Sequence, residues 1–166
     1  MTRTPVVAGW FTHDSGEEDF RLLATRCTAC SAVFFPREDS YCRNPGCSGG
    51  DLAEVPLSKR GRVWSYTDGR YRPPAPYVSD PDAEWEPYTL LAVELEAERM
   101  VILGQGAPGV ALADLAVGME VEVVPGVLNE DAHTRTVWTT WHWRPVHTAG
   151  SGAGAGFGAG AGESGS

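Results

Sequence analysis

From Gly61 onward, apolar and polar positions alternate in short runs broken by turn residues. A two-residue period is that of strands with one face on a core. Residues 62–67 (RVWSYT) set Val63, Ser65 and Thr67 on one side and Trp64 and Tyr66 on the other. Residues 88–95 (YTLLAVEL) and 99–104 (RMVILG) follow, joined across the short separator Glu96-Ala97-Glu98 as a hairpin. Residues 119–124 (MEVEVV) alternate with acids on the wet face, and residues 136–143 (TVWTTWHW) form a fifth strand dense in β-branched and aromatic side chains. Residues 110–118, between the third and fourth strands, leave room for one or two helical turns. Five strands with a small helix between the third and fourth follow the chain order of an OB-fold barrel. The expected fold is therefore mainly β.

The front of the chain lacks this rhythm. Residues 16–24 (GEEDFRLLA) place acids in a first turn ahead of Phe20, Leu22 and Leu23, which fits either a short amphipathic helix or an irregular lead. The four cysteines of the chain then fall as two close pairs, Cys27-Thr28-Ala29-Cys30 and Cys42-Arg43-Asn44-Pro45-Gly46-Cys47. Two knuckles of two thiolates each, joined by a short hairpin, suit a tetrahedral metal, and zinc is the usual occupant at such spacing. Two disulfides, or a redox-active Cys27–Cys30 pair, are the competing readings. Ala32-Val33-Phe34-Phe35-Pro36 reads as a compact strand returning towards the metal, with Phe34 and Phe35 shielding it. Pro45-Gly46 supplies the turn of the second knuckle. The predicted units are a lead over 1–22, a zinc ribbon over 23–58, the barrel over 59–146, and a Gly/Ala-rich tail over 147–166 that lacks the apolar content to order itself.

Charge narrows the function. The chain carries 13 basic against 22 acidic residues, a net charge of −9. That disfavours general nucleic-acid binding, which needs a basic field, although a nucleic-acid-binding ribbon and barrel with stacking aromatics such as Trp64 and Tyr66 is the alternative reading. No run reaches the eighteen apolar residues of a membrane helix, and no apolar leader opens the sequence. A cytoplasmic protein with no membrane partner is expected. Between the first two strands, residues 70–87 carry five prolines with Tyr71, Tyr77 and Trp85, rigid anchors of the kind interfaces favour. Lys59, Arg60, Arg62, Arg70 and Arg72 cluster nearby in the sequence and suit an anionic ligand or partner, or a solvated rim. No nucleophile elbow or phosphate-binding glycine loop is present, and the histidines at 13, 133, 142 and 147 form no catalytic pattern. An independent redox or hydrolytic enzyme using Cys27 and Cys30 is the third hypothesis.

Several of these features recur together in one family. The chain resembles the thiolase-associated proteins that join a rubredoxin-like zinc ribbon to an OB-fold, catalogued as domain of unknown function thirty-five. The resemblance rests on Cys27-x-x-Cys30, Phe35-Pro36, the pair Cys42 and Cys47, residues 61–67 (GRVWSYT), the Pro-rich loop ending in Pro87-Tyr88, residues 92–95 (AVEL) and residues 118–123 (GMEVEV). The second cysteine pair departs from the commoner two-residue gap. Residues 36–47 and 61–77 are most similar to the branch fused to a hotdog-fold hydratase in actinobacterial steroid degradation, whose partner aldolase cleaves a side-chain acyl-CoA. The resemblance implies a non-catalytic accessory subunit with structural zinc on Cys27, Cys30, Cys42 and Cys47. It implies docking onto a thiolase or a lipid-transfer-protein-like aldolase, as a heterotetramer with two of each subunit, and a CoA thioester as a shared ligand. In that setting Arg60, Arg62, Tyr71, Arg72, Tyr77 and Trp85 are expected, from their residue types, to face the partner or the CoA.

Overall fold

The computed structural model describes residues 1–13, 15–74 and 84–146. Tyr77, half of the Pro-rich loop around it, His147 and the Gly/Ala-rich tail lie outside the described residues. The strands are β1 (Thr2–Pro5), β2 (Leu23–Cys27), β3 (Val33–Phe34), β4 (Leu52–Pro56), β5 (Arg60–Gly69), β6 (Tyr88–Leu95), β7 (Val101–Gly106), β8 (Glu120–Asp131) and β9 (Thr136–Pro145). Strands β5 to β9 close into a barrel in the order β5-β6-β7-β9-β8, with β8 returning to β5. Every pairing in the barrel is antiparallel except β7 with β9. This is the OB-fold order that the alternation predicts. A second sheet, β3-β2-β4, forms the ribbon.

Where the structure departs from the sequence reading, a local cause is visible. The lead over residues 16–24 is irregular rather than helical. Phe20 and Leu22 are both buried, and that two-residue spacing suits an extended chain. Leu22 bridges Phe11, and Thr12 and Arg21 exchange hydrogen bonds. The segment over 110–118 contributes a single 3-10 turn at Leu112–Asp114. A bulge between Val63 and Ser65 breaks the expected alternation of β5. It leaves Val63 buried and Trp64 exposed, and turns Tyr66 inward against the core, so Trp64 and Tyr66 do not share a face. β1 and β4 are additional strands. β1 lies parallel to β9 on the outside of the barrel, and β4 completes the ribbon against β2.

One core runs through both sheets. Val63, Leu91, Val93, Leu95, Ile102, Val121, Val123 and Trp143 fill the barrel, and Phe11, Phe20, Leu22, Ala24 and Leu57 from the lead and ribbon join the same cluster. Aromatic rings make the junction. Trp141 of β9 meets Trp10, Phe11 and Phe35 with ring centroids 6.3, 6.1 and 6.1 Å away, and Trp10 meets Phe35 edge-on at 5.5 Å. Offset and edge contacts of this kind stabilise by about 0.5–1.5 kcal/mol each beyond burial. Phe35 thus packs towards the barrel, where the sequence reading had it shielding the metal. Arg37 laces the edge of this junction, donating to the Gly9 carbonyl and to Glu54 of β4.

Candidate metal centre

The first knuckle is the turn that ends β2. Ser31 adopts a left-handed conformation at φ 61° and donates its N–H to the Cys27 carbonyl at 2.9 Å, while the Cys27 N–H bonds the Ala32 carbonyl. The chain thereby reverses within four residues and aims Cys27 and Cys30 the same way. In the second knuckle the Asn44 side chain accepts the Gly46 N–H at 3.0 Å, and the Asn44 carbonyl accepts the Cys47 N–H. The wider gap of this pair is therefore absorbed in a closed side-chain-to-backbone turn. Gly50 allows the two halves to meet, since a Cβ there would stand 2.7 Å from the Ala29 Cβ and 3.1 Å from the Cys27 sulfur.

The four Sγ atoms all lie within 4.8 Å of one another. Across the knuckles, Cys27 and Cys47 are 3.9 Å apart and Cys30 and Cys42 3.6 Å apart. A tetrahedral zinc with Zn–S bonds of about 2.3 Å requires sulfur separations of about 3.8 Å, so these thiols fit that ion. All four are free, which leaves the paired-disulfide reading without support. Nor does a helix follow Cys27, as a redox-active pair of the thioredoxin kind would need. The thiols differ in ease of ionisation. The backbone N–H of Ala32 and the Asn44 side chain draw Cys30 down to about 6, against the effect of burial. The N–H of Asn44 likewise favours the Cys42 thiolate, but burial and the neighbouring Cys30 and Cys27 thiols outweigh it and push Cys42 up to about 12. Four thiols this close resist ionising together without a cation, and zinc supplies that charge. A site closed by four protein ligands has no open position for a substrate, so its chemistry is structural.

The loop between the pairs is held by a buried exchange of hydrogen bonds. Thr25, 1% exposed, donates its hydroxyl to the Glu38 carbonyl at 2.7 Å and accepts the Glu38 N–H at 2.9 Å. The Glu38 carboxylate then accepts the Ser40 N–H and pairs with Arg43 of the second knuckle. Sequence reasoning missed this support, because a threonine within a strand carries no signal of its bonding partner.

The candidate contact residues separate into two groups. Arg60 pairs with Glu120, and Arg62 donates to the Gly118 carbonyl, both at the start of β5. Tyr71, Arg72 and Trp85 lie beyond its other end. Trp85 donates its indole N–H to the Gly69 carbonyl and packs edge-on to Tyr88, and the Arg72 guanidinium sits over the Trp85 ring at 5.9 Å. At about 3.3 Å per residue the ends of this ten-residue strand lie roughly 30 Å apart. The basic cluster of the sequence is thus not a cluster in space. Tyr77 lies outside the described residues.

Among the described histidines, His142 is buried on β9, with its ring packed over the backbone of Gly126 and its Nε2 without a partner. Burial lowers its pKa below the usual imidazole range, so it is neutral in the folded chain. On acidification the unfolded chain takes up this proton first, so the stability contribution is present above a pH of about 6.5 and is lost as pH falls towards the folded-state value. A His142→Gln variant should therefore lose less stability than the wild type between pH 7.5 and 5, read from denaturant midpoints; equal losses would exclude this role. Cys42→Ser should bring bound zinc from about one ion per chain to below roughly a tenth, with ribbon amides losing exchange protection. Retention of zinc at the wild-type level would contradict the four-thiolate site.

Comparison with known proteins agrees with this geometry. Residues 14–53, which contain all four cysteines, match the family described as ChsH2, rubredoxin-like zinc ribbon domain. A solved structure described as the Ltp2-ChsH2(DUF35) aldolase is 29% identical, with a TM-score of 0.51 over 75% of this chain and 84% of that one. The quartet and the barrel that follows it are a zinc ribbon joined to an OB-fold, and both matches make the chain similar to proteins described as ChsH2 (DUF35).

Proposed function

We propose that this chain is the accessory subunit of an acyl-CoA aldolase, docking onto a thiolase-superfamily partner of the lipid-transfer-protein-like type and stabilising it. The observation that carries this reading is the match to the Ltp2-ChsH2(DUF35) aldolase, which spans ribbon and barrel together rather than the ribbon alone. The chain's own chemistry supports it. Its metal site is closed to substrate, its buried histidine is packed against backbone, and the guanidinium of Arg60 is engaged by a carboxylate. The substrate class we infer is a side-chain acyl-CoA of steroid degradation, with the partner providing the reacting groups and two copies of each subunit assembling in the cytoplasm. Arg72 and Trp85, stacked at the base of the Pro-rich loop, are the inferred contacts to the CoA or the partner.

The nucleic-acid alternative is disfavoured by a specific surface. OB-folds bind oligonucleotides on the outer face of their second and third strands, here β6 and β7. By the strand register, the side chains facing out there are Leu90, Ala92 and Glu94 and, opposite them, Gln105, Leu103 and Val101. None is a cation.

Co-expression with the thiolase-like subunit of the same organism should give a stable complex with equal numbers of the two chains. Retro-aldol cleavage of a steroid side-chain acyl-CoA should be found in the complex and not in this chain alone. Turnover by the isolated chain, or salt-sensitive binding of an oligothymidylate in place of the subunit, would contradict the proposal.

A further inference from the structure

The barrel register gathers three of the exposed large apolar side chains onto one outer face. Arg62, Glu94 and Val101 lie opposite one another on β5, β6 and β7; Ser65, Ala92 and Leu103 form the next row, and Thr67, Leu90 and Gln105 the third. The bulge in β5 inserts Trp64 beside Ser65 in the middle row. Trp64 is 60% exposed, Leu103 59% and Val101 45%. Past Leu103 the face opens into a shallow hollow of about 170 Å³, walled by Leu90, Leu103, Leu128, Thr140 and Trp141. Its lining is almost wholly apolar, and it has room for one large side chain.

Charge decides what such a face can meet. Its only charged positions are Arg62, which donates to the Gly118 carbonyl, and Glu94, which is paired with Arg99. On a chain of net charge −9 this is a locally neutral area, and its edge at the β6–β7 turn carries both signs, Glu94, Glu96 and Glu120 beside Arg60, Arg62 and Arg99. A single-stranded nucleic acid finds stacking at Trp64 but little positive charge for its phosphates. A second copy would set one chain of −9 against another. A protein surface with an apolar centre and a polar rim of both charge signs complements this face, in the arrangement of a hot-spot patch ringed by polar contacts.

We propose that the outer face of β5, β6 and β7, centred on Trp64, Ala92 and Leu103, is the docking surface for the thiolase-like partner subunit, with one partner aliphatic or aromatic side chain seated in the hollow beside Leu103. This inference rests on the functional reading above. It leaves the Arg72–Trp85 stack, beyond the far end of β5, as the inferred contact to the CoA.

The test is calorimetric titration of the full zinc-loaded chain with the thiolase-like subunit of the same organism, using wild type, Leu103→Asp, Trp64→Asp and Leu103→Met. Zinc content and melting temperature establish that each variant is folded. The expected result is a loss of roughly thirtyfold or more in affinity for each aspartate variant, with Leu103→Met within about threefold of wild type. If wild type binds and both folded aspartate variants bind equally well, the face is overturned while the functional reading stands. If wild type does not bind the subunit at all, the functional reading fails and the inference with it. A wild-type homodimer that Leu103→Asp splits without changing subunit affinity, or an oligothymidylate complex lost in Trp64→Asp, would assign the face to another occupant and overturn the proposal.

Discussion

Four cysteine sulfurs must converge within bonding distance of a single ion, and the turns of the ribbon from Cys27 to Gly50 follow from that requirement. The ribbon has three short strands, one of them two residues long, too little apolar surface to offset the entropy of ordering it. A metal held by four thiolates links folding to binding, and in small metal domains the binding free energy is the folding free energy. The tight turn at Ser31, the Asn44 turn and the missing side chain at Gly50 all serve this convergence, each by letting the backbone approach the sulfurs. The Thr25–Glu38 exchange holds the intervening loop where the second knuckle can reach the first.

Once formed, the ribbon is not an appendage. Trp10, Phe11, Phe35 and Trp141 interlock at the junction, and Leu22, Ala24 and Leu57 share a core with the barrel interior. The ribbon meets the barrel through these rings and this shared core. The outer face of β5, β6 and β7 is formed by the barrel's own register, so its exposed apolar row does not rely on the sulfurs directly.

The barrel was legible because its strands alternate cleanly, and the metal site because ligand spacing is fixed by tetrahedral geometry. Other features leave no periodic trace. An inserted residue at the Val63/Ser65 bulge shifts the face of everything after it, so counting by twos misplaced Tyr66. β1, with the sequence TRTP, pairs through its backbone along β9 and has no alternation to detect. The basic residues from Lys59 to Arg72 are neighbours in sequence, yet an extended strand carries its ends far apart. The role of Trp141 depends on which mouth of the barrel the ribbon caps, and that is a property of the assembled fold.

The central claim is that a zinc-held ribbon, coupled by aromatic packing, sits on a barrel with its own core. Hydrogen exchange followed before and after chelation tests it most directly. The account predicts that amides from Leu22 to Cys47 lose protection on metal removal, while the paired amides of β5 to β9 keep most of theirs. Unchanged protection of the ribbon in the metal-free chain would contradict it.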